Sequence, residues 1–286
     1  MSEKFGRSYR IIIDPKDGQP EIVVTLPLTI RFSIRRDTLA SLNNMSLDIY
    51  NLGDVNRDRI FQDRFTVRDR TVRIEGGYDS LSLMFDGFIF EANSSREGSD
   101  IITRIEAKSG SFDVSTSKIY TTIDAGQTIG DVVNFLIQQF PSLKVGAIGK
   151  YTDVLTRPVV FNGATFNELK KYGGNGVFVD NNRVYVLKDN EVIEGNIPAL
   201  NIESGLLETP RRDDGFLTVT TLFEPRVTVG QIVALESEIL PIYNSQYKVV
   251  GVNHQGVISD AVGGDCRSIF NLWVGNNTFE VIQESQ

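Results

Sequence analysis

Between Asn43 and Gly87 the chain alternates apolar and polar residues in short runs broken by glycine and aspartate. Met45, Leu47 and Ile49 share one parity. A second strand is expected from Val67 to Arg73, with Val72 and Ile74 opposed to Thr71 and Arg73. Leu81, Leu83 and Phe85 form a third, ending at Asp86-Gly87 before Phe88-Ile89-Phe90 re-enters. Successive side chains of a strand point to opposite faces, so this pattern predicts antiparallel strands with one face on a core and one in water. Glu75-Gly76-Gly77-Tyr78 and Asp86-Gly87 have the composition of turns. The segment reads as a β-meander with no catalytic residue type placed among its turns.

The flanking sequence extends the pattern. Residues 21–35 alternate, with Ile30, Phe32 and Ile34 opposed to Thr29, Arg31, Ser33 and Arg35. Asn93 to Gly98 reads as a turn before the strand Ile101 to Ala107. The first 110 or so residues thus predict about six strands and at most one helical turn, and a closed or nearly closed barrel disposes of their edges best. Near Ser111 the period changes. Ile129, Val132, Val133, Leu136, Ile137 and Phe140 recur at helical spacing, with Thr128 as cap, Asp131 in the first turn and Pro141 as the stop. Thr165 to Glu168 has capping-box spacing, and that second helix ends at Gly173-Gly174. Residues 176–187 then predict a hairpin turning at Asn181-Asn182. Strands return after Pro198, over residues 216–222, 227–235, 247–252 and 268–274. The expectation is a mostly β (α+β) chain in three parts, 1–111, 112–198 and 199–286, with a small α+β domain between two antiparallel β regions. The two β regions match in size and type, although their residues do not visibly align.

Composition limits function. With 41% apolar and 23% charged residues, 286 residues bury stable cores without staples. One cysteine, Cys266, excludes an intramolecular disulfide and is compatible with a reducing compartment. The charged N-terminal stretch lacks a signal-peptide core, and no run approaches the roughly 18 apolar residues of a membrane span. A formal net charge of −8 argues against general nucleic-acid binding.

Chemistry-bearing residues are sparse. His254 is the single histidine, which a Ser-His-Asp hydrolase would need as its base, and it reads as a structural or surface residue where a strand runs into a turn. One histidine and one cysteine cannot build a structural zinc site. Gly173 to Gly176 follows a helix, the wrong order for a phosphate cradle. Asp213-Asp214 are neighbours in a polar loop without an aromatic sugar platform. Trp273 is expected in a β core. No catalytic, cofactor-binding or metal-ligating residue is assigned, and the chain is expected not to be an enzyme. The remaining candidate is an interface: Arg57, Arg59, Asp63, Arg64, Arg68, Asp69, Arg70 and Arg73. Six arginines stand against three aspartates between Arg57 and Arg73. The plain reading is a solvated strand face and turn. The sharper one is a protein–protein edge whose ion pairs set register, which the planar guanidinium suits.

Three ordered blocks carry a family likeness. The first joins Phe32-x-Ile34-x-Arg36, Asn44-x-Ser46-x-Asp48-Ile49-Tyr50-Asn51-Leu52, Val72-x-Ile74-Glu75-Gly76-Gly77-Tyr78 and Phe85-x-Gly87-x-Ile89. The second joins Thr128-Ile129-x-Asp131-Val132 to Phe161-Asn162-Gly163-x-x-Phe166-x-x-Leu169. The third runs from Glu203-Ser204-Gly205-Leu206-Leu207-Glu208-Thr209-Pro210 through Pro225 and Gly230 to Tyr247-Lys248-Val249-x-x-Val252-x-His254-x-Gly256. In this order they resemble the baseplate hub proteins of contractile-tailed bacteriophages, including Mu-like tail proteins. The resemblance implies two antiparallel tail-tube-like β-barrels flanking the small α+β domain. It implies a homotrimeric ring that presents six barrels, matches the sixfold tail tube to the threefold central spike, and leaves a lumen for DNA passage. The implied partners are other copies of the chain, the tail tube protein, the central spike protein and other baseplate proteins, with DNA only in transit and no membrane. The implied location is the virion tail baseplate, assembled in the host cytoplasm. The alternatives are a tail-tip hub of a non-contractile tail, or a tail-associated cell-wall hydrolase or sugar-binding domain. The last predicts clustered exposed aromatics beside a carboxylate pair, which a single tryptophan meets poorly.

Overall fold

The computed structural model describes residues 6–39, 42–63, 65, 67–260, 263–275 and 278–285. The first β region contains β1 (Ser8–Asp14), β2 (Ile22–Thr25), β3 (Ile30–Asp37), β4 (Asn44–Tyr50), helix α1 (Asp54–Ile60), β5 (Thr71–Gly77), β6 (Leu81–Glu97) and β7 (Asp100–Lys108). The middle contains α2 (Ser111–Thr116), β8 (Lys118–Ile123), α3 (Ile129–Ile137), β9 (Lys144–Ile148), β10 (Val159–Ala164), α4 (Thr165–Gly173), β11 (Val177–Asp180), β12 (Arg183–Val186) and β13 (Glu191–Ile193). The second β region contains β14 (Ala199–Leu200), β15 (Arg211–Asp213), β16 (Phe216–Leu222), β17 (Ile232–Leu235), β18 (Ser245–Ile258), β19 (Cys266–Trp273) and β20 (Glu280–Ile282). The fold class is mostly β with helices confined to a minority, 14% of residues against 49% in strands.

Both β regions share one 13-stranded sheet in the order β15-β16-β19-β18-β3-β4-β7-β6-β5-β1-β2, with β17 beside β18 and β14 beside β17. The join is antiparallel, from Gly251 opposite Asp37 to Ile258 opposite Ile30. The facing edges of the two regions therefore satisfy each other, which protects them from stray pairing. Strand parity builds the first core: Ile30, Phe32 and Ile34 of β3 and Met45, Leu47 and Ile49 of β4 are fully or almost fully buried together. Phe270, Leu272, Val249 and Val252 anchor a second core. A third, in the middle domain, packs Val132, Val133, Leu136 and Ile137 of α3 on Phe161, Leu169 and the valines of β11 and β12.

The β11–β12 hairpin belongs to two cores at once. Val177, Val179, Val184 and Val186 face the middle domain, whereas Phe178 and Tyr185 stack with centroids 5.0 Å apart in the second core. Burial on both faces explains its nearly continuous apolar run.

Several expected details are corrected. Residues 21–35 are two strands separated by a turn containing Pro27, which cannot donate to a ladder. The expected second strand of the meander starts at Thr71, and the first part of the charged stretch before it, Asp54–Ile60, forms α1. Strand β6 runs unbroken through Asp86-Gly87 to Glu97, so neither Asp86-Gly87 nor Asn93 to Glu97 is a turn. Gly87 is instead a close-approach position: a Cβ there would lie 2.7 Å from the Phe85 ring and 2.8 Å from the Lys108 carbonyl. A bulge between Ile74 and Glu75 leaves Met84 unpaired in register and turns Leu81 and Leu83 off the core. Thr128 does cap α3, in a reciprocal box with Asp131. Thr165 does not cap α4: it is already helical, and its hydroxyl bonds the Ser117 hydroxyl at 2.8 Å. Trp273 is half-buried on the outer parity of β19, where Phe270 and Leu272 take the core side. His254 is no surface residue. It is fully buried in β18, which continues to Ile258.

Candidate assembly site

The three parts meet at a buried polar junction. The alternation that buries Ile30, Phe32 and Ile34 continues to Arg36, 1% exposed. Its Nε donates to Asp180 Oδ1 at 2.8 Å and its Nη2 to Asp180 Oδ2. Asn43 Nδ2 donates to the same carboxylate at 2.8 Å, and Asn43 Oδ1 accepts from the Asp37 amide. Burial alone would lower the Arg36 pKa, but the Asp180 charge overrides it and the net shift is upward. Nearby, His254 Nδ1 lies 2.8 Å from the Ser268 hydroxyl, with the imidazole edge-on to Phe223 and Phe270. Desolvation, aided by the Arg36 charge, pushes its pKa down to about 3, so the ring is neutral at pH 7. A neutral imidazole sealed between aromatic rings belongs to the packing.

Asp180 ends β11, and the two-residue turn after it is the second half of the junction. Asn181 and Asn182 both take the left-handed conformation, φ 48° and 55°, that such a hairpin turn requires and asparagine tolerates. Their side chains plug into the first β region. Asn181 Oδ1 accepts from the Asp86 amide at 3.0 Å, and Asn182 Nδ2 donates to Asp86 Oδ1 at 3.0 Å. Asn182 Oδ1 accepts from the Gly110 amide, while its own amide donates to Ser109 Oγ. Asp86 also holds Arg73 at 3.0 Å, and burial raises its pKa despite that partner. A cleft of about 700 Å³ opens beside this junction, lined by Arg36, Arg73, Asp86, Lys144, Asp180 and Arg183 among others. Among the described residues no group of three or more His, Cys, Asp or Glu could hold a metal ion.

The arginine-rich candidate segment is distributed differently from its sequence. Arg73 turns toward the cleft. Arg57 Nη1 donates to the Leu52 carbonyl at 2.5 Å, and the Arg68 guanidinium lies 3.7 Å over the Phe90 ring. Arg70 donates to the Phe61 carbonyl. Arg59 pairs with Asp17 at 2.8 Å and also reaches the Pro20 carbonyl. Asp63 Oδ1 accepts from the Phe65 amide, Asp69 is half-buried, and Arg64 lies outside the described residues. Buried Ile60 and the paired backbones of Gln62 and Ala92 pin the segment to β6. Beside exposed Asp54 and Asp58, four apolar residues project: Val55, Phe61, Phe65 (81% exposed) and Val67. The arginines brace a hydrophobic platform, an arrangement that charge counting did not reveal.

The described residues thus form a β-rich chain with a plugged junction and an exposed, arginine-braced platform. Solved structures agree on the fold. The 43 kDa tail protein of prophage MuSo2 from Shewanella oneidensis is similar at TM-score 0.62 and 10% identity, over 93% of this chain and 96% of that one. The tail protein from Neisseria meningitidis MC58 gives 0.57 and 11%, over 94% and 97%. The E. coli c3393 protein, a component of the type VI secretion system with structural similarity to T4 bacteriophage tail proteins gp27 and gp5, gives 0.57 and 9%, over 88% and 75%. No curated protein sequence matches. The family model described as baseplate hub gp41 matches residues 10–258, and the chain belongs to that family.

Proposed function

We propose that this chain is a non-enzymatic structural hub of a phage tail baseplate, assembling as a homotrimeric ring. Each copy brings two β regions, so three copies present six, a number that suits a sixfold tail tube on one side and a threefold central spike on the other. The observation that carries this reading is the β18–β3 join, which makes two β regions one continuous sheet within a chain of the hub family. The ring leaves a lumen through which DNA passes, and the net charge of −8 is compatible with passage without retention. The parts proposed for assembly are 1–111 and 199–286 as tube-type β regions and 112–198 as the wedge between them. The Arg57 to Arg73 segment serves as a contact surface toward another copy or the tube. The tail tube protein, the spike and other baseplate proteins are the partners, in a virion tail put together in the host cytoplasm.

Native mass spectrometry tests this directly. A species of three times the 31.9 kDa chain is expected, together with binding to purified tube or spike protein. Protein that stays monomeric at high concentration and binds neither overturns the proposal.

A further inference from the structure

We infer that the ring closes head to tail: the acidic isoleucine loops of the second β region of one copy seat on the arginine-braced phenylalanine platform of the first β region of the next. This rests on the ring reading above and names its interface.

The loops lie at residues 201–207 and 236–244. They expose Ile202, Ile239 (75%) and Ile242 (84%), three large aliphatics with no role in any core. The exposure is not slackness. Asn201 and Ser204 bond each other reciprocally at 2.8 Å, and the Ser237 amide donates to Asn244 Oδ1 at 2.7 Å. Asn201 Nδ2 donates to Glu236 Oε2 at 2.9 Å and ties one loop to the other. Rigid loops that hold isoleucine in water lose little entropy when a partner covers them. Around them stand Glu203, Glu236 and Glu238, all exposed, and the sequence places no lysine, arginine or histidine within 195–210 or 227–247. The loops' own residues are thus apolar and acidic, and a cation, Arg212 of β15, lies within electrostatic reach of Tyr247 beside them.

Its complement is on the same chain, in the other β region. Phe61, Phe65 and Val67 supply the apolar half. Arg57, Arg68 and Arg70 bond neutral groups (two carbonyls and a ring), so their charges stay uncompensated by any carboxylate in ion-pair range among the described residues. Arg59, neutralised by Asp17, contributes little; Asp54 and Asp58 are exposed, and Asp63 and Asp69 are half-buried among the arginines, so the positive charge offered is that of Arg57, Arg68 and Arg70. Both patches are exposed, so they do not meet within one chain. Pairing like with like would set glutamate on glutamate. Pairing unlike patches is heterologous, and a heterologous contact propagates around an axis until the ring closes.

The test uses the full chain in a Cys266→Ser background, with Phe65→Cys and Ile242→Cys made separately and treated with a short bis-maleimide. Linked pairs are expected when the two variants are mixed, and from neither alone. Phe65→Glu and Ile242→Glu should each weaken trimer formation at least tenfold without moving the thermal melting of the monomer. Links within the Phe65→Cys sample alone, or trimers unaffected by both glutamates, overturn the interface while leaving the ring reading in place. Wild-type protein that never forms trimers overturns the ring reading itself.

Discussion

Arginine is used in two ways in this molecule. Arg36 is sealed inside, held bidentate by a carboxylate that lies 144 residues away in sequence. Arg57, Arg68 and Arg70 lie on the outside and bond carbonyls and a ring a few residues or one strand away. A buried charge is tolerable only with a charged partner, so the interior arginine determines which parts of the chain must meet. A half-buried arginine keeps part of its hydration, so it can brace a neighbouring loop and still offer charge to a partner. The lesson is that arginine density along the sequence does not locate the arginine that matters for the fold.

The largest expected effect breaks the interior side of this comparison. Arg36→Ala leaves Asp180 buried without its cation and should cost about 3–5 kcal/mol in urea unfolding. The double change Arg36→Met with Asp180→Leu should recover much of that loss. A single variant within 1 kcal/mol of wild type would show that the pair is dispensable. Next comes Asn182→Ala, which removes two side-chain hydrogen bonds of the plug and places alanine at φ 55°, for a loss of about 2 kcal/mol. Asn182→Gly, which keeps the conformational freedom, should cost less, and the difference separates turn strain from lost bonding.

The His254 site sharpens the same contrast through pH. Its folded pKa is depressed to about 3 from an ordinary value near 6.5, so only the unfolded chain takes up this proton between those limits. Its contribution is therefore complete above about pH 6.5 and is lost as pH falls, by about 2 kcal/mol at pH 5. The urea midpoint of wild type should drop more between pH 7.5 and 5 than that of His254→Gln, and equal slopes would contradict a buried neutral imidazole. The smallest effects lie outside. Arg68→Ala should cost about 0.5–1 kcal/mol through its contact with Phe90. Arg59→Ala should leave the urea midpoint unchanged, since exposed pairs contribute little. If either matched Arg36→Ala in stability, the distinction between interior and surface arginines would fail.

Local elements were readable because their causes are local. The Thr128–Asp131 cap and the Asn181-Asn182 turn need only neighbouring residues, and both stand where the sequence put them. The Thr165 cap failed because Ser117, far away in sequence, claims the hydroxyl. Leu81 and Leu83 do not share the core side of Phe85 because a bulge at Met84 lies between them and it. Trp273 is expected in a core, whereas the parity of Phe270 and Leu272 places it on the other face. The same parity rule, carried one step past Ile34, points Arg36 inward. Of the candidate site, the sequence showed the arginine run but not the apolar platform it supports, since which side of a loop projects is settled by the strand beneath it.

By itself the sequence determined the mostly β character, the helical interlude and the tight turns, because alternation, period and turn chemistry act over a few residues. Only the tertiary structure decided that β18 pairs with β3, that one hairpin serves two cores, and that Asp180 and Asn182 lock the middle domain to the first β region. Parity says which face a side chain takes but not which strand lies beside it, and a buried charge declares the need for a partner without naming one.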